Sequence, residues 1–213
     1  MNKKSAVLLL AFTFLISVIV FYSCSKSTAA SKQETVQSLQ DELYNSAEYT
    51  NFITATNDII ATLSVEGIRS ADTKSSSALI GNKESFTKDE MKAILGKLNV
   101  NDAVYMKSEE AMNLAVNGFQ TKYNLSNQQN ALVWQQTIAA HKESFKASPQ
   151  FPDIRGFIDC VITSVQEFAV TTAVCLALRK IPIIGQKLYM ICETDAINNL
   201  IANLTGCLDY ILP

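Results

Sequence analysis

Apolar residues recur at intervals of three, four and seven along most of the chain, as they do on the buried face of an amphipathic helix. The first such stripe runs from Glu34 to Leu63, with a predicted break near Asn51 and a predicted stop at Gly67. Alternation with a period of two, which would indicate a strand, forms no convincing pattern anywhere in the sequence. The hydrophobic pattern therefore predicts an all-α fold.

Two capping boxes predict helix starts in the middle of the chain. In the segments Thr87–Glu90 and Ser126–Gln129, a hydroxyl side chain stands three residues before an acid or amide that can bond back to its backbone N–H. Between these segments the apolar spacing predicts a helix from about Asp102 to Tyr123. Residues 69–78 contain no large apolar side chain, so a linker is predicted over about residues 69–84.

The last third of the chain predicts an antiparallel helical hairpin over residues 153–213. Residues 153–180 and 186–212 have helical spacing, and the short segment between them contains Pro182 and Gly185, which favour a turn. The stretch from Phe168 to Leu178 carries no charged residue. We expect this hairpin to pack against the upstream helices and to form much of the core of a small helical domain.

Four cysteines in the hairpin predict two disulfides. The position numbers of Cys160 and Cys207 add up to 367, and so do those of Cys175 and Cys192, so each pair lies at one height in an antiparallel hairpin. A bridge within one helix is excluded, because the helix would separate the two cysteines by about 22 Å, whereas bridged Cα atoms lie less than about 7 Å apart. A structural zinc site is the alternative, but the Cys-x2-Cys pairs typical of such sites are absent.

The N-terminus has the features of an export signal. Two lysines precede an apolar run from Ala6 to Tyr22, and Ser23 stands directly before Cys24. This arrangement resembles the lipobox of bacterial lipoproteins, in the relaxed form typical of the Bacteroidetes group, although Phe21 stands where the family usually has Leu. The resemblance implies a signal peptide over residues 1–23 and a mature chain that begins at a lipid-modified Cys24.

The same resemblance implies a location for the protein. Acyl chains on Cys24 would hold it on a membrane, with residues 24–33 as a lipidated tether and residues 34–213 as the helical domain. Residues 25–31 include Lys26 and no acid, which by this resemblance favours the periplasmic side of the outer membrane. An uncleaved membrane anchor and an ordinary cleaved signal are the alternatives.

The charge balance argues against a nucleic-acid partner. The chain has 18 basic and 20 acidic residues, and loss of Lys3 and Lys4 with the signal leaves 16 against 20, a formal charge of −4. No run of basic residues stands out, although nucleic-acid-binding domains usually carry one.

No residue pattern indicates catalysis. His141 is the only histidine, and the chain has no Gly-x-Ser-x-Gly nucleophile turn. The pairs Asp89-Glu90 and Glu109-Glu110 are interpreted as acids in first helical turns, where they favour the helix dipole. A glycosidase with two separated carboxylates has no positive support. We therefore expect no enzyme activity, no metal and no cofactor.

The leading hypothesis is a non-enzymatic lipoprotein of the cell envelope that binds a protein partner or has a structural role. The alternative is a membrane-active, bacteriocin-like factor that acts through the apolar hairpin. The acids Asp159, Glu167 and Asp195 argue against simple insertion of the hairpin, because a charge at the centre of a bilayer costs about 2.5–3.5 kcal/mol.

Overall fold

A computed structural model describes residues 29–75, 87–182 and 185–211. The chain forms two compact units, Met1–Leu39 and Gln40–Pro213. The described residues are largely helical and contain no strand, as the hydrophobic pattern predicts. The main helices are α1 (Ala29–Tyr44), α2 (Ala47–Ala61), α3 (Val65–Arg69), α4 (Lys88–Lys97), α5 (Asp102–Lys122), α6 (Asn127–Ala140), α7 (Arg155–Leu178) and α8 (Gly185–Cys207).

Helix α7 is the centre of the second unit. It packs against α6 and α8 and also contacts α2 and α5, while α2 packs mainly on α5. The buried face of α7 includes Phe157, Val161 and Val165, at the four-residue spacing that aligns side chains on one side of a helix. The apolar hairpin therefore forms the core of this unit, as predicted.

An aromatic group fills the space between α2, α5 and α6. The only tryptophan, Trp134, is fully buried on α6. Its ring centroid lies 4.9 Å from that of Phe52 and 6.3 Å from that of Phe119. Contacts of this kind contribute about 0.5–1.5 kcal/mol beyond the area that they bury.

Both predicted capping boxes are present. Thr87 accepts a hydrogen bond from the backbone N–H of Glu90, and the Glu90 carboxylate accepts one from the Thr87 N–H. Ser126 and Gln129 exchange the same two bonds at the start of α6. The predicted helix from Asp102 is confirmed as α5.

The first apolar stripe breaks earlier than predicted. The prediction placed the break near Asn51, but α1 ends at Tyr44 and α2 begins at Ala47. The reason is local, since the Ser46 hydroxyl accepts a hydrogen bond from the Tyr49 N–H and so starts a new helix. Gly67, predicted to end the stripe, lies instead inside the short helix α3.

The disulfide pairing is confirmed. Cys160 is bonded to Cys207 and Cys175 to Cys192, and in each bridge the Cα atoms are 5.7 Å apart. The bridges join α7 to α8 near both ends of the hairpin. The signal peptide, Cys24 and most of the predicted linker lie outside the described residues.

Candidate functional site

A five-residue motif, Tyr-Met-x-x-Glu, occurs in α5 at residues 105–109 and again in α8 at residues 189–193. In each copy the tyrosine and the glutamate are four positions apart, so both side chains lie on one face of their helix. The interpretation of Glu109 as an acid in a first helical turn is wrong, because α5 begins at Asp102 and places Glu109 beyond that turn.

The two copies exchange hydrogen bonds. Tyr105 Oη donates to Glu193 Oε1 at 2.5 Å, and Tyr189 Oη donates to Glu109 Oε1 at 2.5 Å. Each tyrosine therefore bonds the glutamate of the other copy. We call these four residues the tyrosine–glutamate cluster.

Arg179, just beyond the end of α7, contacts one half of this cluster. Its Nη1 lies 3.1 Å from Glu109 Oε1, and its guanidinium carbon lies 4.7 Å from the centre of the Tyr189 ring. Its Nε also donates to Gln186 Oε1 at 3.0 Å. The negative charge of Glu109 is therefore paired with the Arg179 guanidinium, which also contacts Tyr189 and Gln186.

Glu193 is in a different position. Its side chain is fully buried, and among the described residues its Oε2 has no hydrogen-bond partner. Burial raises the pKa of Glu193 from the usual 4.5 to about 7; the Tyr105 bond opposes this shift, the charge of Glu109 adds to it, and Arg179 opposes it. Burial together with the charge of Glu193 also raises the pKa of Tyr105, which keeps that phenol protonated as a donor.

A cavity of about 140 Å³ opens beside the tyrosine–glutamate cluster. Its walls include both tyrosines of the cluster, Glu109 and Arg179. Three methionines complete much of the remaining wall: Met91 from α4, Met106 from α5 and Met190 from α8. Two of them, Met106 and Met190, are the second residues of the two motif copies.

A larger cleft of about 400 Å³ lies between α2 and α5. Five of its twelve lining residues are alanine or glycine: Ala47, Ala55, Ala111, Ala115 and Gly118. Leu114 stands at the cleft with 66% of its surface exposed, and Ser108 lines it with 4% exposed.

His141 lies at the end of α6, beside Tyr44 and Glu143. It follows the last residue of α6, where its ring stacks on that of Tyr44 with centroids 3.6 Å apart. Its Nδ1 lies 2.8 Å from Glu143 Oε1. Within residues 29–75, 87–182 and 185–211, no group of three or more His, Cys, Asp or Glu side chains is arranged to hold a metal ion.

The sequence interpretation missed the tyrosine–glutamate cluster. Its members are 80 and 88 residues apart along the chain, and only the packing of α5 near the hairpin brings them together. The signal that could have found it is the repeated motif itself, since two copies of one pattern on two helices suggest that their side chains meet.

The chain was compared with protein-family models, with curated proteins and with solved structures, and none of the three comparisons gave a match.

Proposed function

We propose that this protein is a lipid-anchored, non-enzymatic binding protein of the cell envelope, which binds a helical segment of a protein partner in the cleft between α2 and α5. The anchor is supported by the resemblance of residues 1–24 to a lipoprotein signal. The binding role is supported by the cleft, which is the observation that carries the proposal.

The shape of the cleft suits a helix. Helices α2 and α5 are antiparallel, since Glu48 lies beside Gly118 and the Thr56 hydroxyl lies 3.5 Å from the Met112 sulfur. The lining residues on α2 extend from Ala47 to Asp58, which is about 17 Å or roughly three helical turns. Small side chains along such a groove allow the backbone of a bound helix to approach closely.

The polar groups of the cleft indicate the character of the partner. Glu48 and Asp58 line it on α2, and Lys107 on α5 is the one cation among its described lining residues. The excess of negative charge favours lysine or arginine on the flanks of the bound helix. When a helix binds, the exposed Leu114 side chain buries its apolar surface against the partner.

A photo-crosslinking experiment tests the binding site. A photoreactive amino acid replaces Leu114 in the full-length chain, and a second version carries it at Ile154, which is also exposed but lies outside the cleft. We expect a discrete adduct from position 114 that maps to a basic helical segment of one envelope protein.

A matched pair of substitutions decides whether that adduct depends on the cleft. Ala111→Phe fills the cleft and should abolish the adduct, whereas Ala139→Phe, at an exposed position on α6, should preserve it. Adducts that form equally from position 154, or that survive Ala111→Phe, would show that the cleft is not the binding site.

The lipid anchor is tested by the intact mass of protein extracted from membranes. We expect a chain that begins at Cys24 and carries acyl groups, and a gain of four hydrogens on reduction of the two bridges. A chain that retains residues 1–23 would contradict the anchor while leaving the cleft experiment unaffected.

Membrane activity is the second candidate function. Among the described helices, Arg155–Leu178 is long and apolar enough to cross a membrane. However, 56% of its apolar window is buried inside the protein, so insertion would require the hairpin to leave α6. Release of dye from vesicles by the full chain, lost when the bridges are reduced, would favour this candidate over the first.

A further inference from the structure

Methionine is concentrated around one small cavity. The chain has five methionines, and three of them, Met91, Met106 and Met190, line the cavity beside the tyrosine–glutamate cluster. They come from three different helices, so their convergence is produced by the tertiary fold. Met112, by contrast, is buried elsewhere, where its sulfur contacts the Thr56 hydroxyl.

The repeated motif explains why two of these methionines meet at the cavity. Met106 and Met190 each follow the tyrosine of a Tyr-Met-x-x-Glu copy. Because the two copies bind each other through their tyrosines and glutamates, the methionines next to those tyrosines are held at the same cavity. Both are half-buried, so the cavity is accessible from solvent, whereas Met91 is buried.

We propose that this cavity is a binding site for a soft monovalent cation, Cu(I) or Ag(I), held by the thioether sulfurs of Met91, Met106 and Met190. Thioether sulfur is a soft ligand that selects Cu(I) among the common metal ions. Methionine is unbranched and has several rotatable bonds, so the three sulfurs can adjust to one ion.

The charges around the cavity suit an ion with a single positive charge. Arg179 is neutralised by Glu109, and Glu193 lies directly behind Tyr105 as the second carboxyl group. The cluster thus has at most one unbalanced negative charge. A hard divalent ion would need several oxygen ligands, but Glu109 is the one carboxylate among the described residues that line the cavity, and its Oε1 already accepts bonds from Tyr189 and Arg179.

A competition titration tests the site. Full-length chain with Cys24→Ser, which removes the only thiol outside the two bridges, is extracted in detergent and titrated with Cu(I) against bicinchoninate without oxygen. We expect one equivalent to bind. Met106→Leu and Met190→Leu should each weaken binding by more than about tenfold, since even loss of an outer-shell partner commonly costs that much.

Two matched controls keep the result interpretable. Met112→Leu is the same substitution away from the cavity and should leave Cu(I) affinity unchanged, as should His141→Gln, which removes the only imidazole. In NMR spectra, the methyl signals of Met91, Met106 and Met190 should shift on binding while that of Met112 stays in place. The proposal is overturned by absence of binding, by loss of binding in His141→Gln, or by equal effects of Met112→Leu and Met106→Leu.

Discussion

The phenol of Tyr105 and the carboxyl group of Glu193 are joined by a hydrogen bond of 2.5 Å, and both side chains are buried. A buried carboxyl group can be ionised, with the phenol as its hydrogen-bond donor, or it can be protonated and neutral. Burial raises the pKa of Glu193 to about 7, so below that pH the buried carboxyl group is mostly protonated. Glu193 therefore links the stability of the fold to pH.

We expect the free energy of unfolding to fall as the pH rises from about 4.5 to about 7. The pKa of Glu193 is about 7 in the folded protein and close to 4.5 when the group is solvated. Between these values the folded state holds a proton that the unfolded state has lost, so each step up in pH favours unfolding. The contribution of Glu193 to the free energy of unfolding is fully present below pH 4.5, and it decreases by on the order of 3 kcal/mol by pH 7.

Denaturant unfolding at several pH values, followed by the fluorescence of the buried Trp134, measures this effect. Glu193→Gln should remove most of the pH dependence in that range. Asp195→Asn serves as the comparison, since burial raises the pKa of Asp195 as well, but that side chain is only partly buried. An unchanged slope in Glu193→Gln would mean that Glu193 is charged inside the fold.

Tyr105→Phe should destabilise the protein and raise the pKa of Glu193 further. The substitution removes the hydrogen bond that Tyr105 donates to the carboxyl group, and a buried polar group without a partner costs about 1–3 kcal/mol. The Tyr105 bond also holds the pKa of Glu193 below the value that burial alone would give. Carbon NMR titration of the Glu193 carboxyl group follows the shift.

Tyr189→Phe is the matched control for that experiment. It removes the equivalent bond to Glu109, which retains Arg179 as a partner. The loss of stability should therefore be smaller than in Tyr105→Phe. Equal losses of stability in the two variants would show that the two hydrogen bonds stabilise the fold equally. That result would contradict the expectation that Glu193 depends more on its tyrosine than Glu109 does.

The outer disulfide should stabilise the fold more than the inner one. The Cys160–Cys207 bridge joins residues 47 apart in sequence, and Cys175–Cys192 joins residues 17 apart. In the chain-entropy description these loops correspond to about 4 and about 3 kcal/mol. Replacing each pair by alanines and measuring urea unfolding gives the two values, and the reverse order would show that packing outweighs loop length.

Removal of the cap of α6 should have a modest and local effect. Ser126→Ala deletes the oxygen that accepts the Gln129 N–H bond, at a cost of about 1 kcal/mol. Ser126→Asp keeps an acceptor at the same place and should retain most of the stability. Thermal unfolding of both variants measures the difference, and a loss in Ser126→Asp as large as in Ser126→Ala would argue against capping as the cause.

The disulfide pairing could be predicted because helical rise is constant. Once residues 153–180 and 186–212 are taken as antiparallel helices, the position numbers of Cys160 and Cys207 alone fix their heights. Apolar spacing did not predict the break between α1 and α2 correctly. The capping bond of Ser46 decides where α2 begins, and the spacing of apolar residues carries no information about that bond.

The tyrosine–glutamate cluster could not be predicted from the residue pattern within single helices. Whether Glu109 meets Tyr189 depends on how α5 is placed against the hairpin, and no periodicity within one helix carries that information. The sequence also does not show that Glu193 is fully buried.

The two disulfides join α7 and α8 near both ends of the hairpin, and they determine how the chain responds to tension. If tension is applied to the two ends of the chain, the force passes from one end to the other through the Cys160–Cys207 bond. The residues between these two cysteines, which would extend over roughly 150 Å as an open chain, are left out of the loaded path. Pulling can unfold the other helices, but while this bond is intact the segment between Cys160 and Cys207 cannot lengthen.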